Sequence, residues 1–270
     1  MSDVVRLEYR NVTMRFAERN GKGLLTAVRG VSFSVRDGEV VSLIGPSGCG
    51  KSTLLNIGSG LTAPSEGEAF VDGERVVGPQ AHVAFMLQKD LLLPWRTVAE
   101  NVAFGVEIQG LPAAARRQRA EHLLSNFNLA EFSGHYPHQL SGGMRQRVAL
   151  ARTLAVDPHV LLLDEPFSAV DAQTRMVLQR DLAQTLKRAG KTALLITHDL
   201  LEAVTLSDRV LAMSRRPGTI IDEIAIELPQ RDVIIHLGIL TSCDRVVARL
   251  MDRLGIGHEA LAQQPAAGAA

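Results

Sequence analysis

The stretch Gly45-Pro46-Ser47-Gly48-Cys49-Gly50-Lys51-Ser52-Thr53 directly follows the apolar run Val40 to Ile44, and this junction constrains the fold more than any other feature of the chain. A strand that feeds a glycine-rich turn and then a helix is the phosphate-binding loop pattern. The glycines let successive backbone N–H groups converge on phosphate oxygens with no side chain in the way. A helix opening near Lys51 adds its N-terminal dipole. Lys51 then sets a point charge against the outer phosphates, and the Ser52 hydroxyl is a ligand for Mg²⁺.

Two further apolar runs, Val160 to Leu163 and Ala193 to Ile196, share the character of Val40 to Ile44. Each is short and apolar on both alternating faces, as parallel strands covered by helices on both sides must be. Each ends in polar or glycine residues, where an open α/β sheet places its ligands. After Leu163 come Asp164 and Glu165. Beside a phosphate loop, Asp164 is expected to hold Mg²⁺ directly or through water, and Glu165, projecting differently, is free to polarise an attacking water.

The remaining segments surround this α/β core. Leu7 to Phe16 and Val31 to Val35 have strand composition, and Glu68 to Val77 around Asp72-Gly73 reads as a hairpin. The segment from about Val98 to Val156 is rich in Ala, Leu, Arg, Gln and Glu, and reads as a helical lobe inserted into the strand series, from roughly residue 89 to 156. Leu240, Val247, Leu250, Met251 and Leu254 fall at helical spacing, with Thr241-x-x-Asp244 as a capping box and Gly255 as a stop. Gln263 to Ala270 is low-complexity and expected to fray. The expected division is residues 1–230 as the nucleotide-binding domain and 231–270 as a C-terminal helix and flexible tail.

Composition narrows the class. Lys+Arg and Asp+Glu both number 29, so the formal charge is zero and no basic stripe marks a nucleic-acid binder. Cys49 and Cys243 lack metal-type spacing and are expected to be reduced thiols. The N-terminus has no signal-peptide core, and no apolar run approaches the ~20 residues of a membrane helix. A soluble, cytoplasmic protein that serves a membrane from its surface is the expectation.

Leu140-Ser141-Gly142-Gly143-Met144-Arg145-Gln146-Arg147 then decides among phosphate-loop proteins. A serine and two glycines opening a helix form a second anion site, and one nucleotide does not need two cradles from one chain. With this motif in place the sequence resembles the ATP-binding cassette family from Leu7 to about Leu228. The matches run in family order: the phosphate loop, Gln88, the Leu-Ser-Gly-Gly signature, Asp164-Glu165, Ser168-Ala169-Val170-Asp171 and His198. The resemblance implies a P-loop NTPase fold: a RecA-like α/β core, an antiparallel β subdomain and an inserted α-helical subdomain. It implies ATP and Mg²⁺ as ligands, Phe16 stacked on adenine, and Gln88 sensing Mg²⁺ and the γ-phosphate. It also implies His198 as the switch histidine and Asp171 as the residue that communicates across a dimer. Family members usually carry leucine before that aspartate, where this chain has Val170.

In that family the signature serine and glycines of one subunit close over ATP held by the phosphate loop of another, so the resemblance implies a head-to-tail homodimer. A finer likeness lies in Asp90 to Val102 with its Leu-Pro-Trp-Arg core, in Tyr136-Pro137-His138-Gln139 and in Met144, which resemble cassettes of nitrate, sulfonate and taurine importers. This implies separate transmembrane permease subunits docked near the segment after Gln88, a periplasmic or extracellular substrate-binding protein, and a place on the cytoplasmic face of the inner membrane. The apolar Leu91 to Leu93 with Trp95 are expected to be exposed there. The rival reading is a non-transport cassette ATPase of DNA repair or translation. The chain has neither the heptad runs or cysteine clusters of the first nor the fused second cassette of the second.

Overall fold

The computed structural model describes residues 3–18, 23–168, 170–227 and 244–254. Its centre is a six-stranded sheet in the order β10-β9-β3-β8-β7-β6. Five of the strands are parallel: β3 (Val40–Ile44), β6 (Val83–Met86), β7 (Val160–Asp164), β8 (Thr192–Ile196) and β9 (Arg209–Met213). Strand β10 (Ile220–Ala225) closes one edge antiparallel to β9. All residues of β3, β7 and β8 are buried, the mark of strands covered on both faces.

Alternation along these strands sorts two cores. Val41, Leu43, Val160, Leu162, Leu194 and Ile196 face helix α1 (Lys51–Gly58) and a second, four-stranded sheet. That sheet has the order β2-β1-β4-β5 and is antiparallel: β1 (Val5–Ala17), β2 (Leu24–Arg36), β4 (Glu66–Val71) and β5 (Glu74–Arg75). Tyr9 seals the seam, donating its hydroxyl to Leu54 O at 2.8 Å. A Cβ on Gly58 would stand 2.2 Å from that hydroxyl oxygen, so α1 passes under β1 only because residue 58 is glycine.

On the opposite face, Leu161, Leu163, Ala193 and Leu195 join a core shared with helices α2 (Val98–Ile108), α3 (Ala113–Asn126), α4 (Gly142–Ala155) and α5 (Ala172–Ala189). A buried leucine or valine of this kind contributes about 1.5–3 kcal/mol. Helices α2 to α4 pack on one another as a lobe between β6 and β7 in the chain. A third cluster joins α6 (Leu200–Leu206), β9, β10 and α7 (Asp244–Leu254) through Val204, Val210, Ile224 and Leu250. The expected C-terminal helix is thus present over 244–254, while its proposed Thr241 cap, Gly255 stop and tail lie outside the described residues.

The strands read from the sequence are present, the first two longer than expected. Strands β6, β9 and β10 were not anticipated. Val83–Met86 and Val210–Met213 are four-residue apolar runs like Val160 to Leu163, so length does not separate them; neither runs directly into a glycine-rich loop or a pair of acids, as β3 and β7 do.

Candidate active site

The five parallel strands end at one edge of the sheet, and each delivers a polar group there. Strand β3 runs into the phosphate loop. Its last glycine, Gly50, caps α1 with φ 105°, and a Cβ there would meet Val28 Cγ1 at 2.4 Å. Only glycine satisfies both demands. Ser47 and Gly48 are exposed at the rim, while Cys49 is a buried free thiol. Lys51 is buried, and its ammonium donates to Gly45 O at 2.7 Å and Pro46 O at 3.1 Å. The cation therefore lies along the loop it is expected to serve.

Strand β7 delivers two acids with different surroundings. Asp164 is 8% exposed, and burial pushes its carboxyl above the usual range, opposed by a hydrogen bond from Ser52 and by the Lys51 charge. The next residue, Glu165, turns away through the left-handed region at φ 46°. A non-glycine residue holds that conformation at about 1 kcal/mol or more, and here its N–H is fixed on Ile196 O at 2.9 Å. The turn aims the Glu165 carboxylate across the ends of β6 and β8. Gln88 Nε2 donates to Glu165 Oε2 at 3.0 Å, and His198 Nδ1 lies 3.4 Å from the same oxygen. Gln88, Glu165 and His198, far apart in the chain, thus form one cluster.

These groups suit a magnesium ion. Asp164 and the Ser52 hydroxyl are hard oxygen donors already in contact. Gln88 spends its amide N–H on Glu165, which leaves the carbonyl end as an acceptor.

The signature lies elsewhere. Ser141 caps α4, accepting from Met144 N at 3.3 Å, so its hydroxyl and the first N–H groups of the helix sit together. A Cβ on Gly143 would meet Thr174 Cγ2 at 2.8 Å and Val170 Cγ1 at 3.4 Å. Valine therefore fills the place before Asp171 and touches the signature turn. Asp171 is exposed and caps α5 through Thr174 N at 3.0 Å. Helix α4 also grips the segment after Gln88. Arg145 Nε binds Asp90 Oδ2 at 3.0 Å, and Arg152 donates to Asp90 O and Leu91 O.

One expectation needs adjusting. Of the apolar segment, Leu91 and Trp95 are exposed, but Leu92 is buried in the helical core and Leu93 is half-buried. Hydrogen bonds within the segment stiffen this loop. Buried Asn101 exchanges hydrogen bonds with Leu93 N and O and donates to Arg96 O and Thr97 O, while Thr97 and Glu100 form a capping box. Phe16, paired with Leu25 near the end of β1, is exposed, as a ring that stacks on a planar ligand must be.

Comparison with known proteins agrees with this architecture. Residues 28–168 match the family model described as ABC transporter. An uncharacterised ABC transporter ATP-binding protein of Methanocaldococcus jannaschii is 46% identical over 224 residues, 83% of each chain. The Taurine import ATP-binding protein of Roseobacter denitrificans is 45% identical over 214 residues, 79% of this chain and 80% of that one. Among solved structures, a dimeric post-hydrolysis state of an ATP-binding cassette bound to ADP and Pi matches with TM-score 0.74 and 32% identity, covering 83% of this chain and all of that one. The chain belongs to the ATP-binding cassette family of transporter ATPases and is an ATP hydrolase. Its described residues include no helix long and apolar enough to cross a membrane.

Proposed function

We propose that two copies of this chain close head to tail over two ATP molecules and so drive a separate permease, most simply an importer of a small anion such as taurine, another sulfonate or nitrate. The observation that carries the closure is the separation of the two anion cradles. Ser141 and Gly143 find their contacts on α4, Thr174 and Val170, whereas the phosphate loop faces Asp164 and the Glu165 cluster. The dimeric cassette structures and the taurine-import relative support this reading.

In each site the residues divide the work. Phe16 stacks on adenine, and the backbone from Gly45 to Gly50, with Pro46, Ser47, Cys49 and Thr53 completing the loop, surrounds the phosphates. Lys51 balances the phosphate charge. Mg²⁺ held by Ser52, Asp164 and Gln88 would neutralise charge developing on the phosphate oxygens. Glu165 accepts a proton from the attacking water, with Gln88 and His198 fixing the orientation of its carboxylate. Ser141, Gly142 and Gly143 of the second copy offer N–H groups to the γ-phosphate, and Asp171 lies at the junction of the two copies.

Trp95 is 71% exposed on the stiffened loop beside a groove of about 760 Å³ lined in part by Arg96, Thr97, Ala103 and Glu107. A rigid aromatic beside a concave surface suits a permease segment as partner. A substrate-binding protein outside the cell completes the proposed importer, placing this subunit on the inner membrane's cytoplasmic face.

Glu165→Gln tests the site. Hydrolysis should fall at least about 100-fold while ATP binding persists, because the amide retains shape but loses basicity. Light scattering should then show the variant dimeric in MgATP and monomeric in MgADP. Wild-type turnover, or a monomer in both nucleotides, would contradict the assignment.

A further inference from the structure

The fifth parallel strand, β9, also delivers a group to the site edge, and the reading above gives it no role. Beyond Met213 the chain turns through Arg216-Pro217-Gly218 before entering β10. The Arg216 guanidinium donates from Nε at 2.9 Å and from Nη2 at 2.7 Å, both to Gly48 O in the phosphate loop. The rest of the turn is wedged in place. Gly218 N donates to Ala27 O at 2.9 Å, and Arg29 N donates to Gly218 O at 3.0 Å, so the turn is stitched to β2. A Cβ on Gly218 would stand 2.1 Å from Cys49 O, and a Cβ on Gly45 2.9 Å from Met213 O. The segment Met213 to Gly218 thus contacts the phosphate loop at Gly45, Gly48 and Cys49.

The consequence follows from peptide geometry. Gly48 sits at φ 74°, where glycine is free to rotate, and it is exposed at the rim. Its peptide with Cys49 is planar and trans, so carbonyl and N–H point in opposite directions. With the carbonyl held outward by Arg216, the Cys49 N–H points into the loop and donates to Pro46 O at 3.3 Å. Rotation of this one peptide would swing a carbonyl oxygen toward the cradle, placing partial negative charge where phosphate oxygens must come. A charged, forked donor on that carbonyl is a strong restraint against such rotation.

We propose that Arg216 is a positioning residue of the nucleotide site, locking the Gly48–Cys49 peptide carbonyl-outward so that the phosphate loop stays shaped for anion binding. The proposal rests on the reading of Gly45 to Thr53 as the nucleotide cradle. It predicts an effect on affinity rather than on chemistry, since Arg216 binds the loop's outer side and does not belong to the Glu165 cluster.

The test uses the full chain and four proteins: wild type, Arg216→Ala, Arg216→Gln and Gly218→Ala. MgADP and MgATP dissociation constants are measured by titration calorimetry, with KM, kcat and thermal unfolding without nucleotide alongside. Arg216→Ala should weaken both nucleotides about 5- to 10-fold and raise KM to match, with kcat within about twofold and the nucleotide-free unfolding temperature nearly unchanged. Arg216→Gln, which keeps a donor for Gly48 O but no charge, should recover at least half of the lost affinity on a logarithmic scale. Gly218→Ala, which presses on Cys49 O, should weaken binding with Arg216 intact.

Wild-type affinity in Arg216→Ala would overturn the proposal. So would a fall in kcat at unchanged KM, or an Arg216→Gln variant as weak as Arg216→Ala, which would assign the effect to charge alone. Should Arg216→Ala be unstable, the affinities of Arg216→Gln and Gly218→Ala decide the matter, and wild-type values in both would overturn it. Failure of the wild-type chain itself to bind MgATP would instead remove the nucleotide-site reading.

Discussion

The phosphate loop and the signature turn are both glycine-containing helix openings, yet the structure treats them differently. Around the loop, residues from five strand ends converge. Lys51 and Ser52 meet Asp164, Gln88 and His198 meet Glu165, and Arg216 holds Gly48. Around the signature, Ser141 caps its own helix and Gly143 packs on Thr174 and Val170. The first region is a site with its charges opposed and its acids placed. The second is a capped helix opening, which on the proposed reading is an anion-binding surface whose complement lies on another copy of the chain.

This contrast makes separable predictions, and the largest effect belongs to the phosphate side. Lys51→Ala should reduce MgATP affinity of the isolated chain by about 100-fold or more, because phosphate charge is left uncompensated. Ser141→Ala should leave that affinity within about threefold and instead abolish ATP-dependent dimerisation of the Glu165→Gln chain. Equilibrium dialysis and light scattering read the two effects separately. Equal losses of monomer affinity in both variants would erase the distinction.

A smaller effect is expected where the two regions are tied together. Helix α5, whose start faces the signature, reaches α6 behind His198 through Gln179 and Glu202, which are 3.4 Å apart. Glu202 is 4% exposed, and burial, reinforced by the Asp199 charge, pushes its carboxyl up to about 8. Between the usual carboxylate range and pH 8 the folded chain therefore holds a proton that the unfolded chain has released. Stability falls as pH rises through that window and levels off above it. Glu202→Gln should flatten this decline and gain about 1–3 kcal/mol at pH 8, with little change at pH 5. Urea unfolding across pH 5 to 8.5 checks it, and parallel profiles for the two proteins would contradict it.

The smallest signal comes from Trp95, the chain's one tryptophan. It sits on a loop that Arg145 and Arg152 of the signature helix bind through Asp90 and Leu91. If γ-phosphate engagement by Gln88 reaches the helical lobe, MgATP should alter the emission of the Glu165→Gln chain by several per cent and MgADP by less. Identical spectra in all nucleotide states would show the two regions uncoupled at this loop.

What could be read from the sequence divides along the same line. Strands β3, β7 and β8 were visible because each is apolar on both faces, and the loop, the two acids and the signature were visible because their residue types are rare together. The meeting of Gln88, Glu165 and His198 was not visible as geometry, since it depends on the order β8-β7-β6 and on the left-handed turn at Glu165. Arg216 was missed for a related reason. An exposed arginine beside proline has no periodicity, and its meaning appears only when β9 is placed beside β3. The available signal was an Arg-Pro-Gly turn two residues beyond the apolar run Val210 to Met213. Leu92 misled in the opposite direction: it stands in an apolar run with Leu91 and Leu93, and only the packing of α2 and α4 shows it to be core.

The central claim, that each ATP is held by the phosphate loop of one copy and the signature of another, has a direct measurement. Lys51→Ala removes the charge of one cradle, and Gly142→Asp places a carboxylate where γ-phosphate must approach the other. Each homodimer should be dead at both sites. In a mixed dimer, both defects fall in one composite site, and the other pairs an intact loop with an intact signature. Differently tagged chains are co-purified and incubated with radiolabelled MgATP, and the nucleotide retained after rapid gel filtration is counted. The account predicts about one occluded ATP per mixed dimer and none in either parent. No retention above the parents in the purified mixed dimer would contradict it.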